Sequence, residues 1–292
     1  MEVTNISISS GSVPATNDHP IRYELYAPVS GTSVSVPVVL FLHGFKGFKD
    51  WGTFPDICEE LCYAGFAVVA FNFSTSGIGD RRFEFDRLDL FEQNTLSQDL
   101  DDVGSIIQAL QKGVISDHHT HLNTDMIGIV GHSRGAQTAL VAGAEYETIQ
   151  TVVSWNAVAN YLERWPETMV SDWNNKGFTD IKNSRTGQTM RVKRSLYDDA
   201  IKHQERILAE HRMADLRVPV LFIHGREDET IPYTDSEKLH IACASNDKEL
   251  RLVANGGHTF GGSHPFEAQE FPKPLHEVVE WTKGWFTEYL KG

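Results

Sequence analysis

Short apolar runs and longer amphipathic stretches alternate along most of the chain. Runs dominated by apolar residues predict buried strands, and they are Val36–Leu42, Phe66–Phe73, Met126–Val130, Thr151–Trp155, Val218–Ile223 and Leu250–Val253. Apolar residues at helical spacing predict helices at Pro55–Ala64, Asn94–Gln111, Thr234–Ala244 and Pro274–Tyr289. Because strands alternate with helices, we predict the α/β class, with a mostly parallel sheet covered on both faces.

The first part of the chain has a different pattern. Apolar and polar residues alternate over Ile21–Tyr26, which predicts a half-exposed antiparallel strand. A second strand is predicted at Val3–Ser9, and Gly11 and residues 14–18 are predicted to separate the two.

One connection is far longer than the others. About sixty residues lie between the strands Thr151–Trp155 and Val218–Ile223, whereas most connections have fewer than about ten residues. Residues 161–214, hereafter the insert, include a Gly-containing turn at 184–187 flanked by possible strands. We predict a core formed by residues 1–160 and 215–292, with the insert as a cap over a pocket. An inert surface elaboration is the alternative.

Charge is unevenly distributed between these two parts. The insert has ten basic and eight acidic residues, a net charge of +2. Since the whole chain has a net charge of −14, the core has a net charge of −16. A strongly acidic chain is a poor partner for nucleic acid, because phosphate contacts need basic surface. The apolar runs are too short to cross a membrane, and the first residues lack the pattern of a secretory signal.

Three cysteines argue against a disulfide framework and favour a reducing cytoplasm. Cys58 and Cys62, four residues apart on a predicted helix, are expected to be buried thiols. The sequence leaves the oligomeric state open, a homodimer included.

The most specific chemical motif is Gly-His-Ser-Arg-Gly at residues 131–135. It follows the apolar strand Met126–Val130, and small, helix-compatible residues follow it. This strand, turn and helix context predicts a nucleophile elbow, in which Ser133 is held on a strained turn above the sheet. Gly131 and Gly135 are expected where a side chain would collide with a neighbouring strand or helix.

A serine hydroxyl needs a base to take its proton, and a carboxylate to orient that base. Both follow Ser133 at the ends of later strands. His258 comes just after Leu250–Val253, and three carboxylates, Glu227, Asp228 and Glu229, come just after Val218–Ile223. The carboxyl ends of parallel strands form one edge of a sheet, where an α/β fold places its site. His264, in a Ser-His-Pro setting, ranks second as the base.

With these motifs in this order, the chain resembles the α/β-hydrolase superfamily, from the turn at residues 43–44 to the closing helix. Within it, the chain is most similar to capped bacterial serine esterases of the dienelactone-hydrolase-like and cinnamoyl/feruloyl-esterase-like groups. The resemblance implies the α/β-hydrolase fold with a cap insertion after strand six. It also implies the carboxylate at Asp228, hence a catalytic triad of Ser133, Asp228 and His258.

The same resemblance implies an oxyanion hole formed by the backbone N–H groups of Phe45 and Arg134. Two preorganised donors would stabilise the negative oxygen of a tetrahedral intermediate. The side chain of Arg134 is expected behind the site or at the surface. The turn that contains Phe45 lacks the Gly-Gly-Gly run of many lipase-type esterases. Esters of very bulky alcohols are therefore less expected as substrates. No cofactor or metal is expected.

Two further groups of residues are weaker candidates for parts of a site. Trp155, Trp165 and Trp173 could line a substrate pocket, although large aromatic residues more often pack in a core. His118, His119 and His121 with Asp117 could bind a metal, but a solvated cluster is the favoured interpretation.

The sequence therefore predicts a serine carboxylesterase that acts on small or aromatic-acyl esters through an acyl-enzyme. A prolyl-oligopeptidase-like exopeptidase or amidase is the main alternative. A ligand-binding homologue without catalysis is a third, and retention of all three triad residues speaks against it.

Overall fold

The computed structural model describes residues 3–29, 35–183 and 186–291. Its strands are β1 (Ile6–Pro14), β2 (Pro20–Pro28), β3 (Ser35–Leu42), β4 (Ala67–Phe71), β5 (His121–His132), β6 (Ile149–Trp155), β7 (Phe178–Lys182), β8 (Thr189–Lys193), β9 (Val220–Gly225) and β10 (Lys248–Val253). Its helices are α1 (Phe54–Tyr63), α2 (Leu88–Phe91), α3 (Leu96–Gln111), α4 (Arg134–Glu145), α5 (Glu167–Lys176), α6 (Ser195–Lys202), α7 (Gln204–Ile207), α8 (Ala209–Arg212), α9 (Thr234–Ala242) and α10 (Lys273–Lys291).

Eight of the strands form one sheet in the order β1-β2-β4-β3-β5-β6-β9-β10. From β4 to β10 every neighbouring pair is parallel, whereas β2 pairs antiparallel with both β1 and β4. The predicted α/β fold with a mostly parallel sheet is confirmed. Because β5 lies near the middle of the sheet, the residues that follow it have neighbouring strand ends on both sides.

The central strands are apolar throughout because both faces of the sheet are covered. Along β3, Val38, Leu40 and Leu42 belong to the core beneath α3 and α4. Val39 and Phe41, which point to the opposite face, belong to the core beneath α1 and α10. A strand buried on both faces therefore needs apolar residues at consecutive positions.

Two predicted boundaries were wrong for physical reasons. The strand predicted at Met126–Val130 begins five residues earlier, and its polar first part pairs with β3 up to a register shift between Pro37 and Val38. Gly11, predicted to lie between two strands, lies within β1, where it pairs with Tyr23 of β2. At Gly11, the Tyr23 hydroxyl lies only 2.5 Å from the place a Cβ would take.

The insert folds into α5, the antiparallel hairpin β7–β8 and the short helices α6–α8. The predicted strands around the turn at 184–187 are confirmed, while residues 184 and 185 of that turn lie outside the described residues. Hydrogen bonds between the insert and the core include those from Gln188 Nε2 to the Phe85 carbonyl at 3.0 Å, from the Ser97 N–H to Asp199 at 3.0 Å, and from Gln137 Nε2 to the Ile207 carbonyl at 2.7 Å. Its extent as a separate domain stays a prediction.

Two smaller features complete the fold. Cys58, Cys62 and Cys243 are all free and buried. None of the helices within the described residues is long and apolar enough to span a membrane.

Candidate active site

Ser133 stands at the tight turn between β5 and α4, with φ of 59° and ψ of −118°. A non-glycine residue at this φ is strained, and the turn is fixed by close packing on both sides. A Cβ at Gly131 would lie 2.1 Å from the Gly135 carbonyl oxygen, and one at Gly135 would lie 2.5 Å from the Leu42 carbonyl oxygen. The Ser133 N–H donates to the Trp155 carbonyl of β6 at 2.8 Å. The sharp turn therefore depends on glycine at both positions.

A line of hydrogen bonds connects Ser133 to residues after β9 and β10. The Ser133 hydroxyl lies 3.1 Å from His258 Nε2, and His258 Nδ1 lies 2.7 Å from Asp228 Oδ2. The Asp228 carboxylate accepts a hydrogen bond from His258 Nδ1, so the imidazole proton lies on Nδ1. Nε2 is then the acceptor that faces the Ser133 hydroxyl. The three residues are 125 and 30 positions apart in sequence, and the parallel strand ends bring them together.

Asp228 is held as an ionised acceptor. Its side chain is fully buried, and its Oδ1 accepts from the N–H groups of Thr230 and Ile231 at 2.8 and 2.9 Å. Burial raises the pKa of this carboxyl, but hydrogen bonds from His224, His258 and Ile231 outweigh it and hold the pKa well below its ordinary value. Glu227 and Glu229 are exposed, so the structure brings Asp228, and neither neighbour, to His258.

The loop that carries His258 is fixed through its own backbone carbonyl. The carbonyl oxygen accepts from His132 Nε2 and from Asn156 Nδ2, each at 2.7 Å. Asn156 also accepts from the Gly225 N–H at 2.8 Å, which links the ends of β6 and β9. Sequence reasoning assigned no role to either residue. The signal that could have identified them is a polar side chain at the end of an apolar strand. His132 is the last residue of β5, and Asn156 directly follows β6.

The expected oxyanion donors lie on two elements that meet at Ser133. Arg134 is the first residue of α4, where backbone N–H groups have no partner within the helix. On the other side, a Cβ at Gly44 would lie 3.0 Å from the Ser133 Cβ and 3.5 Å from its hydroxyl oxygen. The loop after β3 thus contacts Ser133 through Gly44, the residue before Phe45.

The side chain of Arg134 is buried, which excludes the surface position that the sequence left open. Its Nε lies 2.6 Å from Asp99 Oδ2, and its two terminal nitrogens donate to Asn94 Oδ1 at 2.8 Å and to the Thr95 carbonyl at 3.0 Å. Arginine is the cation that suits such a buried site, because its planar group can satisfy several acceptors at once.

A cavity of about 170 Å³ opens beside Ser133 and His258. Its wall combines aromatic, polar and backbone surfaces, from Gly44, Phe45, Lys46, Gly47, Trp51, Phe54, His132, Asn183 and Thr259. Asn183 belongs to the insert, directly after β7. The insert therefore contributes to the wall of the cavity next to the serine.

The expected tryptophan lining is corrected by the structure, since the described wall of this cavity contains none of the three. Trp155 is buried beneath the site, where it packs on Phe41 and donates to Thr282 at 3.1 Å. Trp173 is fully buried inside the insert, and Trp165 packs against it with ring centroids 5.1 Å apart. Trp155 and Trp173 are core residues, and Trp165 is partly buried against that core. A position near a strand end does not show whether an aromatic side chain packs in the core or lines a cavity.

The weaker candidates have other surroundings. His264 Nδ1 accepts from the Gly52 N–H at 2.8 Å and its ring stacks on Trp51, so this ring lies outside the Ser133 hydrogen-bond line. Among the described residues there is no group of three or more His, Cys, Asp or Glu side chains that could hold a metal. Asp117 instead accepts from the Ser7 hydroxyl at 2.8 Å and from the His119 N–H at 2.8 Å.

A family model matches most of the chain. The family model described as serine aminopeptidase S33 (Hydrolase_4) matches residues 35–262, which include Ser133, Asp228 and His258. The matched segment also includes the whole insert.

Two curated relatives come from Bacillus subtilis. The uncharacterized peptidase YuxL is 23% identical over 255 residues, which cover 87% of this chain but only 35% of that protein. The putative esterase YitV is 24% identical over 216 residues, which cover 74% of this chain and 77% of that protein. The chain thus spans about a third of the length of the first relative.

Among solved structures, the esterase domain of a Rhodothermus marinus protein superposes with a TM-score of 0.67 at 17% identity. The match covers 97% of this chain and 99% of that domain. At this identity the likeness shows the shared fold alone.

Proposed function

Given that the chain belongs to the serine aminopeptidase S33 family and is a serine hydrolase with the α/β-hydrolase fold, we propose that it cleaves carboxylic esters through an acyl-enzyme. The observation that carries the proposal is the unbroken line from the Ser133 hydroxyl through His258 to Asp228. A nucleophile, a base within reach and a carboxylate that orients the base are the parts such catalysis needs.

In the proposed reaction, Ser133 Oγ attacks the ester carbonyl while its proton passes to His258 Nε2. The carbonyl π electrons move to oxygen, and the N–H groups of Phe45 and Arg134 stabilise the resulting oxyanion. When the tetrahedral intermediate collapses, the bond to the alcohol oxygen breaks and the alcohol leaves with the proton from His258. Water, activated by the same imidazole, then releases the carboxylic acid and restores the serine. Asp228 stays ionised throughout and stabilises the imidazolium.

The size of the cavity supports small substrates. A volume of about 170 Å³ is close to the roughly 150 Å³ of an engineered protein cavity that binds benzene. Phe45, Trp51 and Phe54 provide apolar wall for such a group. We therefore propose acyl groups from acetyl up to a single aromatic ring as the preferred class.

A peptidase or amidase is the second candidate, because the family model and one relative are described as peptidases. An aminopeptidase must recognise a free α-amino group. The described wall of the cavity supports the ester instead, because it includes a lysine and no Asp or Glu that could pair with an ammonium group.

The proposal is tested with p-nitrophenyl esters from acetyl to hydroxycinnamoyl, compared with aminoacyl p-nitroanilides. We expect a burst of p-nitrophenol equal to the enzyme concentration, and its loss in Ser133→Ala. Faster turnover of the anilides would establish the peptidase instead. No turnover and no labelling of Ser133 by a fluorophosphonate would favour the ligand-binding homologue.

The cytoplasm stays the proposed location. The three free, buried cysteines are what a reducing compartment permits.

A further inference from the structure

The two N–H groups proposed to stabilise the oxyanion belong to separate parts of the fold. One is on Phe45, in the loop after β3, and the other is on Arg134, at the start of α4. Stabilisation of this kind requires donors that are already in place, because reorganisation during the reaction would cancel the gain. Some contact must therefore hold the loop and the helix in one arrangement.

The side chain of Arg134 makes that contact. Its guanidinium carbon lies 5.4 Å from the centre of the Phe45 ring, a distance typical of a cation–π pair. The Phe45 ring also packs on Phe91, with centroids 5.4 Å apart and planes tilted by 32°. Arg134, whose backbone supplies one proposed donor, thus holds the ring of Phe45, whose backbone supplies the other.

The guanidinium is itself fixed from the opposite side. Asp99, Asn94 and the Thr95 carbonyl occupy its nitrogens, and all three residues lie in or just before the first turn of α3. Thr95 also caps that helix, since its hydroxyl accepts from the Gln98 N–H at 3.2 Å. Only 4% of Arg134 is exposed, so its position is set by these acceptors rather than by water.

We propose that the Arg134 side chain is a positioning residue that fixes the spacing of the two oxyanion donors by anchoring the Phe45 ring to the start of α3. This inference rests on the proposed ester hydrolysis. It adds that the residue after the nucleophile acts through its side chain as well as through its backbone N–H.

The test is Arg134→Gln, which keeps the backbone N–H and removes the guanidinium. We expect kcat for p-nitrophenyl acetate to fall about 10- to 100-fold while KM changes less than about twofold. The inhibition constant of a trifluoromethyl ketone, whose hemiketal with Ser133 carries the oxyanion, should rise by the same factor as kcat falls. The pH profile of kcat/KM should keep its shape, because the His258–Asp228 pair is untouched.

Arg212→Gln is the matched control, because Arg212 belongs to α8 and contacts the end of α4 that is opposite Arg134. Arg212 donates to Glu145 Oε2 at 3.2 Å and to the Ala144 carbonyl at 3.1 Å, so its loss loosens α4 far from the donors. Unchanged kcat in this variant supports the positioning role. An equal loss of kcat in both variants, or retained kcat and ketone affinity in folded Arg134→Gln, would overturn it.

Phe45→Leu covers the case in which Arg134→Gln does not fold. It keeps the N–H and removes the aromatic face, so kcat and ketone affinity should fall by the same factor. KM is not the readout for this variant, because the Phe45 ring also lines the cavity. If neither kcat nor ketone affinity changes, the inference is wrong. Failure of the proposed function is recognised separately, because the wild-type protein would then show no Ser133-dependent ester hydrolysis at all.

Discussion

His132 donates from Nε2 to the backbone carbonyl oxygen of His258, 2.7 Å away, and the two imidazole rings lie with centroids 4.8 Å apart. The residue just before the proposed nucleophile therefore holds the loop that carries the proposed base. Burial, with the nearby His258, lowers the pKa of His132 to about 3. The ring thus stays neutral at ordinary pH and adds no positive charge that would oppose protonation of His258.

Loss of this hydrogen bond should slow catalysis without abolishing it. In His132→Phe the new ring can still pack against Phe54, whose ring centroid lies 6.0 Å from that of His132 in the wild type. No N–H then reaches the His258 carbonyl. Because a hydrogen bond of this kind contributes about 1 kcal/mol net, we expect kcat for p-nitrophenyl acetate to fall about 5- to 10-fold. Asn156, the second donor to the same carbonyl, limits the loss. Unchanged kcat and KM in steady-state assays would show that Asn156 alone fixes the loop.

Asp228→Asn should reduce kcat far more, although the asparagine side chain has nearly the same shape as the aspartate. The amide oxygen can keep the hydrogen bonds from Thr230 and Ile231, but the amide NH₂ would then face His258 Nδ1. That arrangement favours the tautomer with the proton on Nε2, which cannot accept from Ser133. We expect kcat to fall by about three to four orders of magnitude. A matched Glu227→Gln substitution in the same exposed loop should leave kcat within about twofold, and an equal loss there would argue against Asp228 as the specific partner.

Much of this arrangement could be predicted from sequence, because strand ends in a parallel sheet share one edge. Ser133, Asp228 and His258 each follow an apolar strand, so their meeting depends only on the sheet order. The burial of Trp155 and Trp173 could not be predicted in the same way, since an aromatic side chain near a strand end can face either a cavity or a core. The ring of Phe45 meets Arg134 only through a tertiary contact, which no local pattern encodes.

The buried aspartates of α3 show a second limit of sequence patterns. Asp99 and Asp102 lie three positions apart on the core-facing side of the helix, where apolar residues are the usual choice. Asp99 meets Arg134, and Asp102 accepts from the Ser74 N–H at 2.7 Å. Charged residues in an amphipathic helix are ordinarily placed on the solvent face, so only their distant partners explain these two positions.

The elbow glycines should tolerate no side chain. Gly131→Ala would place a Cβ 2.1 Å from the Gly135 carbonyl oxygen, and a backbone atom cannot move aside as a flexible side chain would. We expect the free energy of unfolding to fall by about 3 kcal/mol or more, measured by urea denaturation, together with loss of the proposed esterase activity. The control is Gly284→Ala, in α10, where the added Cβ meets nothing within 4 Å. It should raise stability by about 0.5–1 kcal/mol, and a loss there would mean that the Gly131 result is not specific to the elbow.

Asp102 should give the stability of the protein a measurable pH dependence. Burial raises the pKa of this carboxyl from 3.8 to about 7, even though hydrogen bonds from the Ser74 N–H and the Gln98 side chain oppose the rise. Between about pH 4 and pH 7 the folded protein therefore binds a proton that the unfolded chain has lost. Stability from this group is complete below pH 4 and decreases as the pH rises through that window.

Asp102→Asn removes the pH-dependent contribution of this carboxyl to stability, so a comparison with the wild type isolates that contribution. The buried histidines are present in both proteins, and their contributions cancel in the difference. We expect the unfolding free energy of the variant, relative to the wild type, to increase between pH 4 and pH 7 by up to about 1.4 kcal/mol per pH unit. Urea unfolding at intervals of one pH unit measures the slope. A difference that stays constant, or that decreases with pH, would show that Asp102 is already ionised in the folded protein across this range.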